Sequence, residues 1–386
     1  MIRGLKFLKD YGRFRNLPAR KRRIVFYSES GQDWHHFEPV IEELTGRRGE
    51  IACYVTSDPE DPGLANGNPL LNGFCIGGGL LRILFFQFLK ADILILTMVD
   101  LDNFHLKRSI HPVHYVFIFH SLISAHMADF ENSYDHYDTI LCAGPHQMRE
   151  ISRREKLKGL KPKHLVPHGY HRLEQLFDHQ RSAAAHTLNE PPHVLLAPSW
   201  GEQTILNTCG ETLIDVLLGA GFLVTLRPHY QTRAVTPDVI DRILDRFASH
   251  ERFRFVDRMA EDNSLFDSDL MITDWSGAGM DYGLGLEKPV LYIDLPPKAR
   301  NDAWPELDIE PFEVFVRTRI GALLSPDNLS DAPATIRRLL AEPQKFQIDV
   351  GRLRQEWVFN FGHSSEAAAD AIVDLTTRLG PGETNR

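Results

Sequence analysis

Asp274, Ser276 and Gly277 follow directly on a short apolar strand, Leu270 to Thr273, and precede residues 280–286, which have the length of a short helix. A strand, a turn of small residues and a helix together present backbone N–H groups to an anion. Ser276 is suited to cap that helix and to donate its hydroxyl to a phosphate oxygen. A second run, Leu223 to His229, delivers Arg227 and His229 beyond a strand end, the edge at which open α/β sheets bind ligands. As cationic donors they suit a phosphate whose charge grows in a transition state. A third run, Leu195 to Gly201, sets Ser199 in a turn where its hydroxyl could bond a phosphate or sugar; a plain turn with a packed Trp200 accounts for the same residues. A fourth, Tyr115 to Phe119, ends in His120-Ser121, with Asp129 downstream. A neutral imidazole at His120 is a candidate base for an acceptor hydroxyl. His120 and His229 are the candidate catalytic residues; Arg227, Ser199, Asp274, Ser276 and Gly277 are the candidate donor-binding set.

Other chemistries find less support. No Gly-x-Gly-x-x-Gly and no P-loop is present, which counts against dinucleotide oxidoreductases and Walker-type NTPases. No His/Asp/Glu spacing demands a metal, so none is assigned, although Asp102, Asp129 and Asp274 leave Mg²⁺ open. Cys142-Ala-Gly-Pro-His146 reads as a strand end and a helix start. The four cysteines are scattered without Cys-x-x-Cys spacing, which fits a reducing cytoplasm better than a disulfide framework.

Strands must deliver these residues, and the chain supplies them in two series. Ile24–Ser28, Ile51–Val55, Ile93–Thr97, Tyr115–Phe119, Thr139–Ala143 and Leu165-Val166 alternate with helical stretches near 37–44, 80–90 and 146–156, and with a short helix between the fourth and fifth strands. Residues 57–73, rich in Pro, Gly, Asn and Asp, read as a loop. The grammar restarts at His193–Ala197 and continues through Phe222–Leu226, Phe253–Val256, Leu270–Thr273 and Val290–Ile293. The helices of this half are expected near 209–218 and 237–247, with C-terminal ones near 334–340 and 365–379 that could close it or pack back on the first half. Alternation of this kind predicts mostly parallel sheets with helices on both faces. Residues 171–192, of mixed charge and weak periodicity, mark the boundary. The expected organisation is a basic head over 1–23, one Rossmann-like domain over 24–175 and another, with the C-terminal helices, over 190–386. Two such domains, each with ligand groups at strand ends, imply a cleft between them.

The net charge of −9 conceals an uneven distribution: residues 1–23 carry +8 and the remainder −17. A basic head on an acidic body points to an anionic surface as partner of the head, and away from nucleic acid. Ile2, Leu5, Phe7, Leu8, Tyr11 and Phe14 could line one side of a helix on lipid headgroups; a frayed basic tail explains the same composition. Neither a secretory signal nor a membrane span is evident, since Leu80 to Met98 is interrupted by Arg82, Gln87, Lys90 and Asp92.

Leu-Ala-Pro-Ser-Trp at 196–200, Leu-Arg-Pro-His at 226–229 and Ile-Thr-Asp-Trp-Ser-Gly at 272–277, followed by Lys288-Pro-Val-Leu-Tyr292, resemble the CDP-glycerol glycerophosphotransferases, the teichoic-acid primases and polymerases. His120-Ser121 is similar to that family's His-Gly at a strand end, and the likeness covers roughly residues 110–295. The resemblance implies a GT-B fold, two Rossmann-like domains facing each other across a nucleotide cleft. It also implies attack by an acceptor hydroxyl on the β-phosphate of CDP-glycerol, with CMP leaving. In that scheme His120 is the base, Arg227 and His229 hold the pyrophosphate, and Asp274, Ser276 and the amides after them bind the donor. A lipid-linked or polymer acceptor at the inner face of the cell membrane, in teichoic-acid or capsule polysaccharide assembly, would suit the basic head of a cytoplasmic, peripheral enzyme. Ser121 for Gly, Tyr230 for a second Pro, Gly277 for a second Ser and Gly201 for an Arg depart from the family pattern. These changes leave open another polyol phosphate as donor, or a UDP-sugar as used by GT-B glycosyltransferases and 2-epimerases. A non-catalytic nucleotide- or membrane-binding assembly protein is the third reading.

Overall fold

A computed structural model describes residues 2–99, 101–102, 106–182, 188–257 and 263–380. The chain divides into two units. The first comprises Met1–His171, Arg300–Asp308 and Trp357–Arg386, and the second Arg172–Ala299 and Ile309–Glu356.

The first unit is built on seven parallel strands: β1 (Ile24–Ser28), β2 (Ala52–Thr56), β3 (Leu71–Cys75), β4 (Ile93–Leu96), β5 (His114–Ile118), β6 (Thr139–Cys142) and β7 (His164–Pro167). Their order is β3-β2-β1-β4-β5-β6-β7, so the connection reverses direction between β1 and β4. Every residue of β1, β2, β4 and β6 is buried, the pattern of strands covered on both faces by crossover helices. β3 begins within residues 57–73, the stretch expected to be loop, and runs past its end. Its Asn72 and Gly73 are turn formers, and only pairing with β2 along the sheet edge makes them extended. The short helix expected between β5 and β6 is absent; turns occupy that segment.

The second unit holds six parallel strands: β8 (His193–Leu196), β9 (Leu223–Leu226), β10 (Phe253–Phe255), β11 (Leu270–Thr273), β12 (Val290–Ile293) and β13 (Gly321–Leu324). The order β10-β9-β8-β11-β12-β13 places its switch point between β8 and β11. The edge strand β13 has no strong sequence signal. It begins at Gly321, where a Cβ would stand 1.6 Å from the carbonyl oxygen of Val290, so only glycine lets the strand approach β12.

Two boundaries differ from the sequence reading. The stretch taken as a linker opens with a helix, His171–Ser182, whose Leu173, Glu174 and Leu176 are buried. The last helix, Ser364–Leu379, belongs to the first unit, not to the 190–386 half. Its Ala368, Ala369, Ile372 and Leu375 join the core around Ile24, Phe26 and Phe37. Arg23 caps the packing by donating to the Thr376 carbonyl at 2.9 Å, and Arg48 reaches Asp370. The basic head is likewise no frayed tail. Ile2–Arg15 is a helix docked on the first unit. Phe14, 2% exposed, meets the rings of Phe74 and Phe85, and the buried Asp10 carboxylate accepts from the Cys75 amide at 3.2 Å. Phe7 packs against Gly77, so the apolar residues of this helix do not all share one outward face.

Candidate active site

In the second unit the motif residues gather at the β8/β11 switch point, where open α/β sheets take ligands. Asp274, at the end of β11 and 1% exposed, is turned into the protein. Its Oδ1 accepts from the Ser199 amide at 2.8 Å and from the Trp275 amide at 2.7 Å, and its Oδ2 accepts from the Ile205 amide at 3.1 Å. Both carboxylate oxygens are thus engaged by backbone N–H groups of the loops after β8 and β11. The geometry makes Asp274 a clamp that fixes these loops.

Ser276 lies on the turn that the clamp shapes, half-buried, with its Oγ accepting from the Ala278 amide at 3.3 Å. The next amides are engaged within the turn: Gly279 donates to the Ser276 carbonyl and Met280 to that of Gly277. The amides after Ser276 that were expected to bind the donor are therefore engaged within the turn from 278 to 280. The helix they begin is one turn, Ala278–Met280, running into a wider π-type turn over Asp281–Gly285. Gly277 itself has an ordinary helical φ of −56°, so the family's serine there would meet no backbone strain. At Gly279 a Cβ would stand 2.7 Å from the Tyr292 hydroxyl and 2.9 Å from Thr273 Cγ2, which fixes glycine at that place.

Arg227 and His229 extend β9 next to β8, as expected; the Arg227 amide donates to the Leu196 carbonyl at 2.9 Å. His229 does not act as a cation. Its Nδ1 accepts from the Gln231 amide at 3.2 Å, which puts the ring proton of the neutral form on Nε2. Burial, and then the Lys298 ammonium, hold its pKa down at about 4. At neutral pH His229 is a hydrogen-bond donor through Nε2. The Trp200 ring lies 6.0 Å from it, and the Lys298 Nζ sits 4.0 Å from the centroid of the Trp200 ring. Around the other side of the turn, the Trp275 indole donates to the Leu295 carbonyl at 2.8 Å, while the Arg317 guanidinium stacks 4.2 Å over that indole. Arg317 is 4% exposed and pairs with Asp294 at 3.1 Å; burial lowers its pKa.

In the first unit His120 follows β5 one residue beyond Phe119, at the C-terminal edge of its own sheet. Burial lowers its pKa, and the carboxylates of Asp33 and Asp129 oppose that shift. The neutral ring is the form a base requires. Among the described residues no well-formed hydrogen bond reaches its buried Nδ1. The His36 ring, on the helix Trp34–Glu42 that leaves β1, lies 4.8 Å from the His120 ring. Asp129 is buried and takes the Tyr134 hydroxyl as donor; burial pushes its carboxyl up, against that bond and the charge of Arg300.

The three aspartates considered for Mg²⁺ each have protein partners. Asp102 faces Lys107 and His136, Asp129 is bonded to Tyr134, and Asp274 accepts from three amides. Among the described residues no three His, Cys, Asp or Glu side chains gather as an all-protein metal site. Sequence reasoning missed His36 and Asp33, although His35-His36 after the first strand was a visible signal, and it missed Lys298 and Arg317, whose proximity depends on chain crossings.

Residues 118–295 match the family described as CDP-Glycerol:Poly(glycerophosphate) glycerophosphotransferase, the stretch that holds every candidate site residue. No curated protein sequence significantly matches the chain. Among solved structures, the wall teichoic acid polymerase TagF, soaked with CDPG, is similar with a TM-score of 0.57 at 13% identity, over 98% of this chain and 97% of that one. A UDP-GlcNAc 2-epimerase from Methanocaldococcus jannaschii, in complex with UDP-GlcNAc and UDP, gives 0.55 at 11% identity over 92% and 99%. A glycosyltransferase from Rickettsia africae gives 0.51 at 9% over 94% and 100%. At such identities the likeness is one of fold, an α/β fold of the GT-B class. The resemblance carried by the three motifs therefore holds over residues 118–295, the segment that is similar to the CDP-glycerol:poly(glycerophosphate) glycerophosphotransferase family.

Proposed function

We propose that the protein moves a glycerol-phosphate unit, or a related polyol phosphate, from a CDP-linked donor to a hydroxyl of a lipid-linked or glycan acceptor. The observation that carries this reading is the Asp274 clamp. It draws the Ser199 and Ser276 loops together at the switch point beside Arg227 and His229, and all four motif residues lie in the matched segment. The acceptor oxygen attacks the phosphorus that carries the glycerol. The bond from that phosphorus to the bridging oxygen breaks, and CMP leaves with the bridging oxygen. His120 takes the hydroxyl proton on its imidazole. Arg227 supplies positive charge to the diphosphate, His229 donates its Nε2–H to it, and the hydroxyls of Ser199 and Ser276 bond its oxygens, with Gly277 keeping the turn small.

The helix Ile2–Arg15 is the element we assign to an anionic membrane surface, at the inner face of the cell membrane. Leu5 and Leu8, 66% and 55% exposed, stand among the exposed Lys6, Lys9, Arg13 and Arg15. A second reading, a UDP-sugar glycosyltransferase or epimerase, draws on the carboxylates of Asp33 and Asp129 that act on His120. Asp129 is bonded to Tyr134, which favours the imidazole over it as base.

Release of CMP from CDP-glycerol, in the presence of a glycerol-phosphate-primed lipid acceptor, tests the reading. His120→Ala should cost about 10²–10⁴-fold in kcat, the worth of a general base. UDP release from UDP-GlcNAc, with CDP-glycerol inert, would replace the lead reading with the second.

A further inference from the structure

Lys298 lies just past the matched segment, on the loop that follows β12. Two contacts hold it in the cluster around Trp200. Its Nζ lies 4.0 Å from the centroid of the Trp200 ring and donates to the Trp200 carbonyl, and the Trp200 ring in turn lies 6.0 Å from His229. Its loop is pinned to the turn after β11 by the Trp275 indole bond to Leu295. The Lys298 charge also bears directly on the His229 ring.

This arrangement answers a deficit in the site. With His229 neutral and its Nδ1 engaged by the Gln231 amide, Arg227 is the cation that the strand-end motif itself contributes. A nucleoside diphosphate carries more negative charge than one guanidinium offsets, and more develops on the leaving phosphate as the bond breaks. A lysine ammonium held over an aromatic face is fixed in place, which suits it to a phosphate as a point charge.

We propose that Lys298 is the second cationic ligand of the donor's diphosphate, held beside His229 by the Trp200 ring and carbonyl. This rests on the reading that the cluster binds a nucleoside diphosphate donor. It adds a residue that the motifs do not contain, and it gives Trp200 a role beyond packing in a turn.

Titration calorimetry of the full chain with CMP, CDP, UMP and UDP tests it, comparing wild type with Lys298→Met and Lys298→Arg. Lys298→Met should lower affinity for the diphosphate at least tenfold more than for the matching monophosphate, and Lys298→Arg should restore most of the difference. A lysine that only props the Trp200 turn would lose both ligands by the same factor, and that result, or unchanged binding, overturns the proposal. A wild type that prefers uridine ligands removes the cytidine reading of function while the UDP/UMP ratio still tests Lys298. A cytidine-selective wild type whose CDP/CMP ratio survives Lys298→Met removes Lys298 alone. Failure of the wild type to bind either diphosphate overturns both. A thermal midpoint of Lys298→Met within a few degrees of wild type separates lost charge from lost fold.

Discussion

Replacing Asp274 with asparagine separates a clamp from a ligand. The substitution keeps the shape of the side chain and removes one acceptor oxygen and the charge. If the remaining oxygen stays at the Oδ1 place, it keeps the Ser199 and Trp275 amides, and the new NH₂ faces the Ile205 amide. One charge-assisted bond is lost, worth about 1.5–3 kcal/mol, and a donor is left facing a donor in a buried place at about 1–3 kcal/mol more. A total near 3 kcal/mol is a conservative expectation. In a domain of this size each kcal/mol moves the melting temperature by about 2–4 °C, so the second unit should melt about 6–12 °C lower. Near-ultraviolet circular dichroism on heating would follow Trp200 and Trp275, both on the clamped loops. Donor affinity, measured by calorimetry well below the new midpoint, should fall as the loops loosen. An unchanged midpoint together with abolished donor binding would refute the clamp and return Asp274 to the role of direct ligand. Unchanged values of both would show that the three amide bonds contribute neither stability nor order to the site.

Two further outcomes follow from the same geometry. His146, buried and bonded through Nε2 to the Leu122 carbonyl at 2.9 Å, has its pKa pushed down to about 4, chiefly by burial. A folded value below the unfolded one means that its contribution is present above pH 6.5 and lost as pH falls toward 4. Linkage gives a loss of about 2 kcal/mol between pH 7 and 5 from this group, so urea unfolding at the two pH values should show a pH-dependent loss smaller by about that amount in His146→Gln than in wild type; an equal loss in the two would count against it. At the surface, Leu5→Glu with Leu8→Glu should weaken binding to phosphatidylserine-containing liposomes several-fold without lowering the melting temperature, because both side chains are exposed. Deleting the head is a poorer test, since it strips Phe14 from Phe74 and Phe85; undiminished liposome binding by the double variant would end the membrane role of this helix.

Much of this protein was legible from sequence because its signals are local. A buried parallel strand must be a short apolar run, and a residue that follows it must emerge at the C-terminal edge; that alone put Arg227, His229, Ser276 and His120 where they stand. The strands that escaped, β3 and β13, contain Gly and Asn and become extended only because a neighbour pairs with them. The same distinction governs the site. Which residues follow a strand is written in the chain; which way they turn is set by what they meet. Asp274 looked like a ligand because it follows a strand, yet amides from residues 199 and 205 turn its carboxylate inward. His229 looked cationic beside Arg227, yet burial, Lys298 and the Gln231 amide make it neutral with its proton on Nε2. The last helix, whose sequence is amphipathic and otherwise undirected, closes the first unit because its small apolar face fits the surface around Phe37. Local pattern decided which elements form and which side chains reach the strand ends. Charge state, hydrogen-bond direction and the pairing of distant residues arise only when separate stretches share desolvated space, and those the tertiary structure decided.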